Sequence, residues 1–176
     1  MMELVLAPDG RLETKLERFD FNMMHPAPIA LDMIDLMMKH DGLGLSANQV
    51  GFPYQIFVMR ALLNKQHGDP VIVMNPIIKG LSEEIESDKE GCLSHPGLML
   101  SIRRPISCMV EFDTLTDNRK DVIHIEAKFD AIDARIFLHE YDHLYGIQFI
   151  DRVSKLKLEM AEKKRLKAEK RNKVNG

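Results

Sequence analysis

The feature that most constrains this chain is an HExxH sequence at residues 139–143, in a segment with the composition of a helix. His139 and His143 are four positions apart, so one helical turn places both imidazoles on the same face. Two neutral imidazoles placed in this way can hold a divalent metal ion, and Glu140 beside the first can accept a proton from water. The pattern favours metal-assisted hydrolysis over its alternative, a solvated charged helix.

The apolar pattern indicates that this helix packs against a core. Ile132 and Ile136 share the face of the two histidines, so the imidazoles are expected to point towards the protein interior. Asp130 can cap the start of the helix, and Gly146 stands where a helix would end. A dry, shaped site is therefore predicted between this helix and a sheet.

Length and charge indicate one domain with a charged tail. The 176 residues and 45% apolar content suit a single domain with a hydrophobic core. Residues 152–176 carry a net charge of +7, so the rest of the chain carries −10. We expect a catalytic domain at residues 1–151 and a basic helical tail at residues 152–176 that extends the same domain.

Several features favour a soluble, cytoplasmic protein. The N-terminus lacks the basic and apolar regions of a signal peptide, and its acidic residues argue against a transit peptide. No apolar run approaches the roughly 18 residues of a membrane span. Cys92 and Cys108 are expected as free thiols, with Cys108 buried and inert on a strand.

The remaining periodicity predicts an α+β fold. Antiparallel or mixed sheets would pack around the HExxH helix, with an N-terminal helix and a basic C-terminal helix. An acidic stretch, residues 82–90, would lead into a bend near the site at residues 90–97, and the first 24 residues are expected as an extended arm. The other predicted elements are a helix from Pro28 to Lys39, strands at Tyr54–Ala61, Pro70–Ile78, 106–112 and Val122–Phe129, and a loop at Asn64–Asp69.

A third metal ligand decides the chemistry. The long protease pattern HExxHxxGxxH is excluded because Phe149 occupies its final histidine position. Glu159 and Glu162, the candidates for a downstream carboxylate, lie in the polar tail. Upstream, Cys92 follows a glycine at the predicted bend, and a thiolate is a good ligand for iron or zinc. With two histidines it would leave a fourth position for water, whereas the alternative for Cys92 is a buried small hydrophobic residue.

Three segments together resemble the peptide deformylase family: GLGLSANQ at 42–49, EGCLS at 90–94 and HEYDH at 139–143. Their order and approximate spacing match the three motifs of that family, and the likeness spans about residues 20–151. The resemblance implies removal of the N-formyl group from N-formylmethionine of nascent polypeptides. The products would be formate and a free N-terminal methionine.

The resemblance also implies roles for individual residues. Cys92, His139 and His143 would hold the metal, Fe(II) natively, with Zn, Ni or Co able to substitute. Glu140 would act first as general base and then as general acid. The Gln49 side chain and the Leu93 N–H would stabilise the oxyanion. Gly44 and Gly91 would let the substrate peptide lie close to the backbone. The pocket for the methionine side chain is expected near Leu43, Leu45, Ile136 and His139.

Some positions depart from the family pattern. Leu138 stands where a glutamine usually precedes HExxH, Ser46 replaces an alanine, and Gly97 and Met99 replace more polar residues. None of them removes a ligand or the base, so the changes concern substrate contacts, including selectivity for the residues after methionine, and the residues that surround the metal ligands. A charged network of Glu90, Arg104 and Asp142 is implied by the resemblance, with surface salt bridges as the alternative.

Two other functions stay open from the sequence. An HExxH endopeptidase would use the same metal helix, and a non-enzymatic RNA-binding or ribosome-binding module would use the basic tail. If the protein is a deformylase, the basic tail would dock on ribosomal RNA near the peptide exit tunnel. The alternative is that the tail is a fraying helix that only increases solubility. We expect a monomer in a bacterial or phage-infected cell, although a mature organellar protein would look the same.

Overall fold

The HExxH segment lies in the second of three helices in the computed structural model, which describes residues 2–61 and 70–174. The helices are α1 (Ala27–Lys39), α2 (Ala131–Leu144) and α3 (Lys155–Val174). α2 begins directly after Asp130, whose side chain makes no capping hydrogen bond. It ends just before Gly146, which has a φ of 69° in the left-handed region that favours glycine. Both predicted ends of this helix are confirmed, and α1 starts one residue before its predicted position.

One antiparallel sheet of five strands supports α2. Its strand order is β1-β2-β3-β6-β7, so β1 and β7 are the edges. Phe57, Phe112 and Phe137 meet in the core between this sheet and α2, with ring centroids 5.3 Å apart for the first and third. The strands are β1 (Gly44–Ser46), β2 (Ile56–Arg60), β3 (Pro70–Leu81), β6 (Ser107–Leu115) and β7 (Val122–Asp130).

The four predicted strands of this sheet, β2, β3, β6 and β7, are confirmed. Buried side chains alternate along the first half of β6, whereas β2 is buried at four consecutive positions. Cys108 on β6 is 1% exposed, and burial raises the pKa of its thiol to about 12. His124 on β7 is exposed and hydrogen-bonded to Asp113 across the pair of strands. The loop predicted at Asn64–Asp69 lies outside the described residues.

A second, two-stranded sheet was not predicted. It is a hairpin of β4 (Ile85–Cys92) and β5 (His95–Pro105), and its turn is the bend expected near the site. β4 was not predicted because its first five side chains are all exposed and most of them are charged. The segment therefore shows no alternation of apolar and polar residues. The acidic stretch is therefore an outward-facing strand.

Both ends of the chain pack against this framework. The start of α3 lies on β5, where Leu158 and Ala161 contact a small cluster that includes Leu100 and Phe149. The N-terminal arm contains a short 3-10 turn at Gly10–Glu13, and it crosses α2 where Leu16 N–H donates to the Leu144 carbonyl. In the described part of the chain, no helix is both long and apolar enough to cross a membrane.

Candidate active site

Two elements bring three possible metal donors together. α2 carries His139 and His143 on its inward face, and the end of β4 carries Cys92. The Cys92 Sγ and His143 Nε2 atoms are 3.4 Å apart, and one donor atom from each of the three residues lies within 4.8 Å of the others. Both histidines are buried and Cys92 is half-buried. The sequence had singled out the same three residues.

The chemistry of this donor set fits a divalent transition metal. His139 Nδ1 is 2.9 Å from the Glu90 carboxylate, so its other nitrogen is left with a free lone pair when the ring is neutral. A thiolate and two imidazoles make a mixed sulfur and nitrogen set that suits iron or zinc. Three protein donors also leave a position for a reacting molecule.

Glu90 belongs to a buried charged network rather than to surface salt bridges. Arg104 donates two hydrogen bonds to its carboxylate, at 2.6 and 2.9 Å, and a third to Asp142 at 2.8 Å. All three side chains are at most 6% exposed, and Arg152 pairs with the other side of Asp142. Burial favours the neutral acid, but hydrogen bonds from His139 and Arg104 outweigh it and lower the pKa of Glu90 to about 2.

Glu140 is buried beside the donors and packs against β1. Its Oε2 atom has no hydrogen-bond partner among the described residues, and burial raises the pKa of the carboxyl to about 7. A Cβ on Gly44 would lie 2.7 Å from Cδ of Glu140, so only glycine leaves room for this carboxyl. Glu140 can therefore exchange a proton near neutral pH.

The two histidines differ in their preference for a positive charge. Burial opposes a charge on His139, but its contacts with Cys92 and Glu90 outweigh that cost and raise its pKa to about 10. Burial and the nearby charge of His139 hold the pKa of His143 well below its ordinary value. The contacts with Cys92 and Glu90 thus favour a positive charge at the position of His139.

Gln49 faces the donors in a fixed orientation. Its Oε1 accepts from the Ser46 backbone N–H at 2.8 Å, which sets the direction of the amide. Its Nε2 donates to Cys92 Sγ at 3.3 Å and to Ser94 Oγ at 3.1 Å. Ser94 is fully buried and was not predicted as a site residue, because only the three-dimensional contact with Gln49 reveals it.

A cavity of about 530 Å³ opens in front of these residues. Of the three donors, Cys92 and His139 line it with Glu140, whereas His143 does not. Six further predicted site residues line it: Gln49, Leu43, Gly44, Gly91, Leu93 and Ile136. Leu45 is placed elsewhere, because alternation along β1 turns its side chain into the main core, where it is fully buried.

Other lining residues were missed from the sequence. Leu98 is on β5, which was not predicted as a strand, and Lys89 is on β4. Gly97 and Met99, noted above as departures from the family pattern, also line the cavity. Arg135 lines the cavity one helical turn before His139. Ile132 could have been found, since it stands one turn before Ile136 on the same helical face.

The chain is similar to known proteins in both sequence and fold. A sequence model described as polypeptide deformylase matches residues 1–159. The peptide deformylase of Agrobacterium fabrum (strain C58) is 34% identical over 168 residues, which cover 94% of each chain. A crystal structure of a plant peptide deformylase superposes with a TM-score of 0.80 at 32% identity, covering 99% of this chain and 92% of that one.

A longer plant relative shows the same match over part of its length. The chloroplastic peptide deformylase 1B of rice, Oryza sativa subsp. japonica, is 35% identical over 156 residues. The match covers 87% of this chain but 55% of the rice protein, so this chain spans about half the length of that relative. Family model, relatives and structure all agree: this chain belongs to the polypeptide deformylase family.

Proposed function

We propose that this protein is a peptide deformylase, which hydrolyses the N-formyl group of N-formylmethionine on nascent polypeptides. The products would be formate and a peptide with a free N-terminal methionine. One observation carries the proposal: a cluster of one cysteine and two histidines lies beside a buried carboxyl with a pKa of about 7, at the wall of a peptide-sized cavity.

We assign the metal to Cys92, His139 and His143, with Fe(II) as the native ion and Zn, Ni or Co able to replace it. When bound, the ion would polarise the formyl carbonyl and make a water molecule more acidic. Glu90 supports this role, because its hydrogen bond to Nδ1 of His139 orients the ring.

The chain supplies the proton transfers through Glu140. Its carboxylate takes a proton from water while the water oxygen forms a bond to the formyl carbon, and negative charge develops on the carbonyl oxygen. The carbon–nitrogen bond then breaks, and Glu140 gives the proton to the leaving amine. One water molecule is consumed, and formate and the amine are the only products.

Gln49 and Leu93 would stabilise the developing oxyanion. The side-chain amide of Gln49 and the backbone N–H of Leu93 are the proposed donors, and each such donor is worth roughly 2.7 to 4 kcal/mol in related sites. Both N–H bonds of Gln49 are engaged, so it must release Cys92 Sγ while Ser94 retains the other bond. A metal bound to Sγ would favour that release, because it takes up the sulfur lone pairs.

The cavity would hold the first substrate residue. Leu43 and Ile136 are the proposed contacts for the methionine side chain, and Leu45 would act only from the core side of β1. The substrate backbone would add as a strand beside the free edge of β1, close to Gly44 and facing Gly91 across the cavity.

The tail and the cellular setting are also proposals. Residues 1–151 would form the catalytic domain and residues 152–176 a basic extension of it, in a monomer of the bacterial or phage-infected cytoplasm. Lys163, Lys164, Lys167 and Lys170 line one face of α3, and they would dock on ribosomal RNA near the exit tunnel.

Ribosome co-sedimentation at rising salt tests the docking of the tail. Truncation after Asp151 removes the helix but also uncovers apolar side chains on β5. A second variant, with the four α3 lysines changed to glutamate, is therefore tested in parallel, because it keeps the helix in place. Loss of salt-sensitive binding in both variants is expected, whereas retained binding would leave the tail as a solubilising helix.

A direct assay separates the proposed enzyme from its alternatives. Formyl-Met-Ala-Ser is incubated with the purified protein, and formate and free amine are measured against an unformylated peptide of the same length. We expect formate from the first peptide and no cleavage of internal bonds. Amine from internal bonds alone would indicate an endopeptidase, and protein that binds no metal and releases no formate would indicate a binding module.

A further inference from the structure

Arg135 links α2 to both strands of the β4–β5 hairpin. Its Nη1 donates to Glu90 Oε1 at 2.8 Å and to the Ile102 carbonyl at 3.0 Å. Its Nη2 donates to the Glu86 carbonyl at 3.1 Å. Glu86 and Glu90 are on β4 and Ile102 is on β5, so one buried guanidinium connects three elements.

Arg104 makes a second connection between the same elements. It belongs to β5 and donates to the Leu138 carbonyl at 3.2 Å and to Asp142 at 2.8 Å, both on α2. Along α2, the Arg135 connection comes before His139 and the contact with Asp142 comes after it. The helix is therefore fastened to the hairpin on both sides of a metal donor, and without Arg135 only the contacts of Arg104 with Leu138 and Asp142 remain.

Glu90 joins the two connections. Its Oε1 accepts from Arg104 and Arg135, and its Oε2 accepts from Arg104 and His139. Four hydrogen bonds thus fix one carboxylate two residues before Cys92 on the same strand. A movement of this carboxylate would shift the ring of His139 and the strand that carries Cys92 together.

We propose that Arg135 is a positioning residue for the metal centre. It holds the Cys92 strand at a fixed distance from the histidines of α2, acting through Glu90 and the two strand carbonyls. The inference rests on the proposed function in one respect, that the three donors hold a metal ion. Its expected signature is faster metal release, because a pivoting hairpin separates the thiolate from the imidazoles.

The test compares metal release from Arg135→Lys and Arg135→Met with release from the unmodified chain. Each protein is loaded with Co(II), mixed with excess chelator, and followed by the absorption of the cobalt–thiolate bond. Arg135→Met is expected to release cobalt about tenfold to 100-fold faster, because losing a residue that supports a metal ligand usually weakens metal affinity by that factor. Arg135→Lys should fall between, because a lysine cannot span the three acceptors.

Two control variants separate positioning from general loss of stability. Arg103→Met removes a neighbouring guanidinium that is exposed and makes no ion pair with any described residue. Val110→Ala removes buried methyl groups from the main core, away from the hairpin. Both controls should release cobalt at the rate of the unmodified chain, even though Val110→Ala lowers the melting temperature.

Two results would overturn the inference. One is release from both Arg135 variants at the unmodified rate, and the other is acceleration no greater than that of Val110→Ala at a matched fall in melting temperature. If Arg135→Met does not fold, Arg135→Lys decides alone, because it keeps the positive charge beside Glu90. Failure of the proposed function looks different, since the unmodified chain would then neither retain cobalt nor release formate.

Discussion

Gly44→Ala tests how closely β1 and Glu140 are fitted. The added Cβ would lie 2.7 Å from Cγ and Cδ of Glu140, whereas ordinary contacts begin at 3.4 Å. Oε1 of Glu140 would lie closer still, so the carboxyl or the strand must move by at least about 0.7 Å, the difference between these two distances. Displacements of about 1 Å at reacting groups cost about 100-fold in rate, so we expect a loss of about tenfold to 100-fold in kcat/KM.

The same substitution should also lower stability. Inserting a methyl group into a packed site costs about 1–3 kcal/mol, and each kcal/mol lowers Tm by about 2–4 °C for a chain of this size. Glu140→Ala removes the atoms that clash, so in that background Gly44→Ala should cost about 1–2 kcal/mol less. This coupling identifies Glu140 as the side chain that excludes a Cβ.

The assays are formate release from formyl-Met-Ala-Ser, thermal unfolding and metal content. Gly10→Ala is the matched control, because a Cβ there would meet nothing within 4 Å. Metal content should stay unchanged in Gly44→Ala, since no donor is touched. The reasoning is refuted if Gly44→Ala keeps kcat/KM within twofold and unfolds at the same temperature as Gly10→Ala.

Three further predictions concern the side chains of the site and one buried thiol. Glu140→Gln should retain metal but lose about 100-fold or more in turnover, because the ligands remain while the proton carrier is gone; metal analysis with formate release checks it, and near-normal turnover would contradict it. Cys92→Ser should bind metal at least about tenfold more weakly in chelator competition, because a neutral hydroxyl replaces a thiolate; unchanged affinity would remove Cys92 from the ligand set. Cys108 should resist alkylation at pH 8 in the folded protein, because burial raises its pKa to about 12 and leaves almost no thiolate; mass spectrometry of iodoacetamide-treated protein measures it, and rapid labelling would show that the thiol is accessible.

Local pattern was enough to predict the helix of the site and four of the five strands of the main sheet, all but β1. The i to i+4 spacing of His139 and His143 fixes their common face, and the apolar residues before them fix which way that face points. The alternating strands β6 and β7 were equally readable, because one side of each faces the core. In these segments, the spacing of apolar residues along the sequence matches the side of the helix or strand that is buried in the fold.

The remaining features depend on contacts between distant segments. β4 is held by its partner strand and by the Glu90 network, so its exposed charged side chains carry no strand signal. The contacts of Arg135 and of Ser94 join residues 45 positions apart, which no local pattern reveals. Leu45 differs from what the resemblance implied, because the pleat of β1 turns its side chain away from the cavity and into the core.

Formate release from protein purified without oxygen tests the central claim most directly, because a thiolate-bound Fe(II) site is prone to oxidation. Metal is counted per chain, removed with a chelator and restored with Fe(II), and formate from formyl-Met-Ala-Ser is measured at each stage. The account predicts about one metal ion per chain, activity that disappears with the metal, and recovery with Fe(II). Formate release that persists after complete metal removal, or its absence from fully loaded protein, would contradict it.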